Sequence, residues 1–325
     1  MSVDYRCRKR PTIRISVSMA HMTKNGNGGN GQTVLRTVIV PAAGLGTRFL
    51  PVTKTVPKEL LPVVDRPGIE LIAEEAHEAG ASRLAVVTSP RKSGLMKHFD
   101  TDEVLEESLK KPGKEERLKK VQRSSTLIDV VSVTQDKPLG LGHAVAQAEG
   151  ILGPDEDVVA VMLPDDLVMP YGVMNKMLDV RAKHGGSVLC AVDVAQEETS
   201  AYGVFEVSDQ PEDDVYTVTG MVEKPEPDDA PSTLVATGRY LLDREIFDAL
   251  GKIEPGKGGE LQLTDAIELL IRSDHPVHVV VHRGTRHDLG NPGGFIKACV
   301  DFGLKDPECG DSLRAYMTER LAQDS

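Results

Sequence analysis

From Thr37 onward the chain alternates short apolar runs, rich in Val and Ile, with longer stretches of helical period. The runs Thr37–Pro41, Leu84–Thr88, Ile128–Val133, Val158–Leu163 and Ser187–Val192 predict buried strands. Between them, Ile69–Ala79, the charged stretch Thr101–Arg123, His143–Leu152 and Tyr171–His184 predict helices. In the first of these, Ile69, Ile72, Ala73, Ala76 and Ala79 follow the helical period, and Gly80 ends it. Strands that alternate with helices need crossover connections. The pattern therefore predicts an α/β fold with a doubly wound, mostly parallel mixed sheet and helices on both faces. After Val192 the rhythm changes. Strands are predicted at Val204–Val207, Tyr216–Glu223, Val235–Leu241 and Val277–His282, and helices at Asp243–Leu250, Leu263–Arg272, Gly294–Gly303 and Ser312–Ala322. No linker interrupts this second half, so residues 37–325 are expected to form one domain with an elaborated C-terminal part.

The first 36 residues read differently. They hold seven Lys/Arg and one acid, Asp4, and include a Gly/Asn tract from Asn25 to Gly31 that has no side chains for a core. A disordered basic tail is expected there. The whole chain of 325 residues carries 38 basic and 50 acidic side chains, a net charge of −12. That balance argues against nucleic acid as a partner, although a few local cations suffice for a small phosphorylated ligand. The longest apolar run, Val158–Leu163, is six residues, against the about 20 that a membrane helix needs. The four cysteines form no CxxC pair, so a reduced, cytoplasmic setting is expected. Cys190, inside an apolar strand, reads as inert core.

Candidate chemistry gathers at strand ends. Ala42–Pro51 is a glycine-rich turn after the first strand, where ligands bind in doubly wound sheets. It lacks the third glycine of the dinucleotide fingerprint and the Gly-Lys-Ser/Thr of a Walker loop. Arg48 adds a guanidinium with bidentate reach, and Lys58, between prolines 57 and 62, is placed to meet a phosphate. Asp165 and Asp166 follow the most apolar strand, a fit for a hard divalent cation such as Mg2+, with Asp288 as a second carboxylate. His287 is a poor Mg2+ ligand and reads as structural. The Gln135 amide matches the imide edge of uracil or thymine, and Gly140 permits close approach of a flat base. Glu223 suits sugar hydroxyls and Lys224 a phosphate. Strict strand alternation points these two to opposite faces, so both reach one ligand only if the strand end twists or bulges.

Nine blocks in order, AAGLGTRFLP, PKELLP, QDKPLGLGHA, LPDD, AYGVFE, VEKP, GRY, GELQLTDAI and HDLGNP, resemble the sugar-1-phosphate nucleotidyltransferases, and in particular their uridylyl branch. The resemblance spans roughly Thr37 to Leu304. It implies a Rossmann-like nucleotide-binding fold and transfer of UMP from UTP to glucose 1-phosphate, with UDP-glucose and pyrophosphate as products and Mg2+ as cofactor. It places Ala43 and Gly44 at the nucleotide and Arg48 and Lys58 near the phosphates. Glu59, Gln135 and Gly140 fall at the uracil end, and Asp166 near the nucleoside. Asp165 is implied as the metal ligand, with Asp288 as its second carboxylate, and Gly203, Glu223 and Lys224 fall at the glucosyl phosphate. Homodimers or tetramers are usual in the family. Nothing is carried over to the N-terminal 36 residues.

Overall fold

Alternate residues of the first strand enter different cores: Val38 and Val40 join one apolar cluster, and Ile39 joins another. Leu84/Ala85, Ala160/Val161 and Cys190/Ala191 are divided in the same way, so the sheet is buried on both faces. One core is closed by helices Gly68–Glu78, Val173–His184 and Pro292–Gly303, the other by Leu141–Ala146, Glu245–Leu250 and Leu263–Arg272. In the last of these, Leu263, Ala266, Ile267 and Leu270 are all buried, an i, i+3, i+4, i+7 stripe.

A computed structural model describes residues 34–323. Its strands are β1 (Thr37–Pro41), the short pair β2 (Pro62–Val63) and β3 (Arg66–Pro67), β4 (Arg83–Thr88), β5 (Asp129–Thr134), β6 (Val158–Met162), β7 (Asp166–Met169), β8 (Ser187–Asp193), β9 (Gly203–Val207), β10 (Val215–Glu223), β11 (Leu234–Asp243), β12 (Val277–Val281) and β13 (Thr285–Asp288). Nine form one sheet in the order β5-β4-β1-β6-β11-β8-β12-β10-β9. The β5-β4-β1-β6 block is parallel. β11 enters antiparallel to both β6 and β8, and Val235 of β11 also pairs with Val204 of β9, folding the second half back on itself. The expected doubly wound mixed sheet is thus present, its parallel half N-terminal.

Three local differences from the sequence reading have physical causes. The charged stretch Thr101–Arg123 divides into helices Glu103–Leu109 and Glu115–Thr126, because Pro112 and Gly113, the latter at φ +81°, break the helical path. The helix expected to Leu152 ends at Ala146, and a 3-10 turn follows at Glu149–Ile151. The antiparallel pair β7/β13 was not foreseen, since both strands are short and one is polar. The basic tail expected over residues 1–36 lies, for residues 1–33, outside the described residues. Leu35 is buried, and the Arg36 carbonyl accepts from the Ser82 and Arg83 amides at 3.0 and 2.9 Å, so packed chain begins before Thr37. Among the described residues no helix is long and apolar enough to cross a membrane.

Candidate active site

Four adjacent parallel strands end on one side of the sheet, and the loops leaving them build the site. The loop after β1 is pinned by its first residue: the Ala42 amide donates to the Val87 carbonyl at 2.7 Å, and the Ala42 carbonyl accepts from Lys92 Nζ at 2.7 Å. Beyond Ala43, Gly44 and Leu45 are exposed, and Gly46 turns the chain at φ +65° into a 3-10 turn, Thr47–Phe49. Arg48 is exposed, and its Nη1 donates to the Gly290 carbonyl at 3.4 Å. Lys92 also holds both carboxylate oxygens of Glu59 at 2.9 Å. Glu59 is only 2% exposed, and its side chain lies beneath the loop against Lys92. An unpaired carboxylate would be costly there. Burial raises the Glu59 pKa and lowers that of Lys92.

The loop after β6 carries the carboxylates. Lys58 Nζ donates to Asp165 Oδ2 at 2.5 Å. Burial by itself depresses the Lys58 ammonium, but the Asp165 carboxylate outweighs it and the pKa is raised above the ordinary lysine value. Asp288 stands close by. The point a Cβ would occupy on Gly290 lies 2.8 Å from Asp288 Oδ1 and 3.1 Å from Asp165 Oδ2. Two carboxylates therefore converge where glycine leaves space, and an ammonium already rests on one of them. This donor set fits Mg2+, which commonly takes one or two carboxylates and completes its shell with phosphate oxygens and water. Among the described residues no group of three or more His, Cys, Asp or Glu side chains has the spacing of a metal cage.

Asp166 takes a different place from Asp165. It is 5% exposed, accepts from the Gly238 amide at 2.8 Å, and is gripped by Arg286, whose Nε and Nη2 donate at 2.9 Å. Its carboxylate ties the loop to β11 and to Arg286. The break in β11 pairing between Ala236 and Tyr240 makes room for this. A Cβ on Gly238 would lie 2.7 Å from Leu163 Cβ and 2.9 Å from Asp166 Cβ, so only glycine admits the Leu163–Asp166 turn at this distance.

On the far side, Gly203 pairs with Glu223 across β9 and β10. Lys224 sits in the left-handed region at φ +47°, its amide donates to the Tyr202 carbonyl at 2.9 Å, and its Nζ reaches Glu223 Oε1 at 2.5 Å. The strand end therefore departs from alternation, and the two side chains meet. They line a cavity of 270 Å3 together with Gly203, Asp166, Thr264 and Arg286. Gln135 is buried after β5. Its Nε2 donates to His143 Nδ1 at 2.8 Å and to the Gly140 carbonyl at 3.3 Å. Gly140, at φ +107°, abuts the Leu261 backbone, and Leu141 and Gln262 on either side of that contact reach the same cavity. His287 is buried with its ring 5.8 Å from that of Phe302, in keeping with a structural role. Burial pushes the Cys190 thiol up to about 12.

Lys92, Tyr202 and Arg286 are not among the candidates that the sequence offers. Arg286 carried a usable signal, because it stands two residues before Asp288 and so shares its strand face. Lys92 follows the carboxyl end of β4, but nothing local tells a buried lysine from a solvated one.

The chain is similar to proteins of known family. The nucleotidyl transferase family model matches residues 37–303. A UTP–glucose-1-phosphate uridylyltransferase of Bacillus subtilis is 40% identical over 292 residues, covering 90% of this chain and 97% of that protein. Its namesake in Streptococcus pneumoniae is 41% identical over 290 residues, covering 88% and 96%. Among solved structures, a UDP-glucose pyrophosphorylase complexed with UDP-glucose superposes with a TM-score of 0.76 at 37% identity, covering 84% of this chain and 100% of that one. The UTP-bound enzyme from Acinetobacter baumannii gives 0.78 at 34% identity, covering 88% and 99%.

Proposed function

The chain belongs to the nucleotidyl transferase family, and from that premise we propose its reaction: it is a UTP–glucose-1-phosphate uridylyltransferase. It transfers UMP from UTP to glucose 1-phosphate, giving UDP-glucose and pyrophosphate. The observation that carries this reading is the convergence of Asp165, Asp288 and Lys58 beside Gly290, where Arg48 also reaches.

A phosphate oxygen of glucose 1-phosphate attacks the α-phosphorus of UTP. The new P–O bond forms as the bond from the α-phosphorus to the oxygen bridging the β-phosphorus breaks, and pyrophosphate leaves with that electron pair. A phosphate monoester has its second pKa near about 6, so the nucleophile is already largely ionised at neutral pH and needs no general base. What opposes the reaction is repulsion between anions. In this reading Arg48 and Lys58 bind the UTP phosphates at the exposed glycine loop, with Ala43 and Gly44 lending close backbone approach. Lys224 binds the sugar phosphate, and Glu223 and Gly203 receive the glucosyl ring in the 270 Å3 cavity. Gln135, its Nε2 held by His143 and Gly140, presents its amide oxygen to the uracil edge. Asp165 and Asp288 would hold Mg2+, which when bound supplies charge neutralisation and alignment of the phosphates. Alignment and electrostatic stabilisation are the dominant contributions available to such a site. Assembly as a homodimer or homotetramer is part of the same proposal, and light scattering checks it.

The deciding experiment is a pyrophosphate-release assay with Mg2+, offering one nucleotide and one sugar phosphate at a time. UTP with glucose 1-phosphate is expected to give the highest kcat/KM. Preference for dTTP, or for another hexose 1-phosphate, would replace the proposal with a neighbouring specificity.

A further inference from the structure

We propose that Arg286 is a positioning residue that sets the glucose 1-phosphate side of the site against its carboxylate side, an inference that rests on the uridylyl-transfer reading above. Two independent contacts carry it. One edge of the guanidinium forks onto Asp166, with Nε to Oδ1 and Nη2 to Oδ2 both at 2.9 Å. Its carbon also lies 4.8 Å from the centroid of the Tyr202 ring, a cation–π distance.

Each contact leads to one half of the site. Asp166 follows Asp165 directly, and its other hydrogen bond, from the Gly238 amide, fixes the turn that aims Asp165. Tyr202 precedes Gly203, and its carbonyl holds the Lys224 amide at 2.9 Å, the bond that accompanies the left-handed turn of Lys224. Arg286 thus links Asp166, the neighbour of Asp165, to Tyr202, which holds the Lys224 amide, through one planar guanidinium. It also stands in the wall between two hollows, the 270 Å3 cavity with Glu223 and Lys224 and a 670 Å3 one reaching Asp288 and Asn291.

The residue type follows from the geometry. A planar fork grips a carboxylate with two parallel bonds while its face stacks on an aromatic ring, whereas an ammonium acts as a point charge and keeps only one of these contacts well. Asp166 is buried and the Arg286 side chain is 18% exposed, so deleting the cation would leave a desolvated carboxylate. The informative variants are therefore Arg286→Lys, which preserves charge, and Tyr202→Leu, which removes the ring and leaves the ion pair.

The test measures steady-state kinetics for glucose 1-phosphate and calorimetric binding of UTP with Mg2+, in the full chain, for wild type, both single variants and the double variant. Both singles are expected to lose about tenfold or more in kcat/KM for glucose 1-phosphate, because sub-ångström displacement of reacting groups is costly. Their UTP affinity is expected to stay within about twofold and Tm within about 4 °C. The double variant is expected to lose little beyond the worse single, since both break one bridge. Wild-type kcat/KM in folded Arg286→Lys, an equal loss of UTP affinity, or additive losses in the double would overturn the proposal. Wild-type turnover checks the reaction separately, so a loss confined to the variants speaks to Arg286 alone.

Discussion

Asp288 lies directly across the β7/β13 ladder from Asp166, and the Leu289 amide that follows it donates to the Asp165 carbonyl at 2.7 Å. This register brings a carboxylate from residue 288 to the side of one at residue 165. Neither strand looked like a strand in the sequence, yet the pairing completes the two-carboxylate set.

The first prediction follows from that set. Asp165→Asn keeps the side-chain volume but removes the charge that Lys58 holds and that a divalent cation would share. Turnover is expected to fall at least about a hundredfold, the scale for losing one charge-aligning group, with the far-UV spectrum unchanged. Chelation by EDTA should abolish wild-type activity, and added Mg2+ should restore it. A folded Asp165→Asn enzyme with near-normal kcat would remove the metal role from this residue.

In the proposed reaction, Gln135 reads the base. Its amide is oriented by His143 and by the Gly140 carbonyl, so the group is fixed before any nucleotide binds. Gln135→Ala should narrow the UTP-to-CTP ratio of kcat/KM by about tenfold, the scale for losing an oriented polar contact. An unchanged ratio would transfer base recognition to other groups.

Gly140 allows a stability test independent of activity. A Cβ there would lie 2.6 Å from the Leu261 carbonyl oxygen, and φ is +107°. Gly140→Ala is expected to cost about 2 kcal/mol or more, from backbone strain and overlap together. Gly94 lies in the helix Ser93–Lys97 with nothing near its Cβ position, so Gly94→Ala should instead stabilise by up to about 1 kcal/mol. Urea denaturation of both variants distinguishes the two environments, and equal midpoints would contradict the packing described.

Acid should weaken the fold before carboxylates titrate. Burial, reinforced by the nearby His184, lowers the His278 pKa below 6.5, and burial does the same for His287. The unfolded chain takes up these protons more readily than the native one. The stability they contribute is present above about pH 6.5 and is lost as pH falls through the lower folded values. The urea midpoint should therefore drop between about pH 7.5 and pH 5.5, and His278→Phe should flatten that slope. A midpoint independent of pH over this range would refute the assignment.

Much of the fold was legible along the chain. The strand over residues 37–41 and the helix over 263–272 were readable to the residue, because their apolar positions repeat at the strand and helix periods and each has one face or both in a core. The glycine loop and the Leu163–Asp166 turn were recognisable because each follows an unmistakable buried strand. Lys224 shows the limit. Alternation alone separates it from Glu223, and only the left-handed turn held by Tyr202 reunites them.

The sequence by itself determined the alternation of strands and helices, the loops that carry the cations and carboxylates, and the residue types suited to two anionic reactants. Those are local properties, set by periodicity and by what a side chain can donate or accept. The tertiary structure decided the rest: β11 between β6 and β8, Asp288 opposite Asp166, Glu59 beneath its loop on Lys92, and Arg286 between Asp166 and Tyr202. Each joins groups distant along the chain. Such contacts depend on register and burial summed over the whole sheet, and no short window of sequence contains that sum.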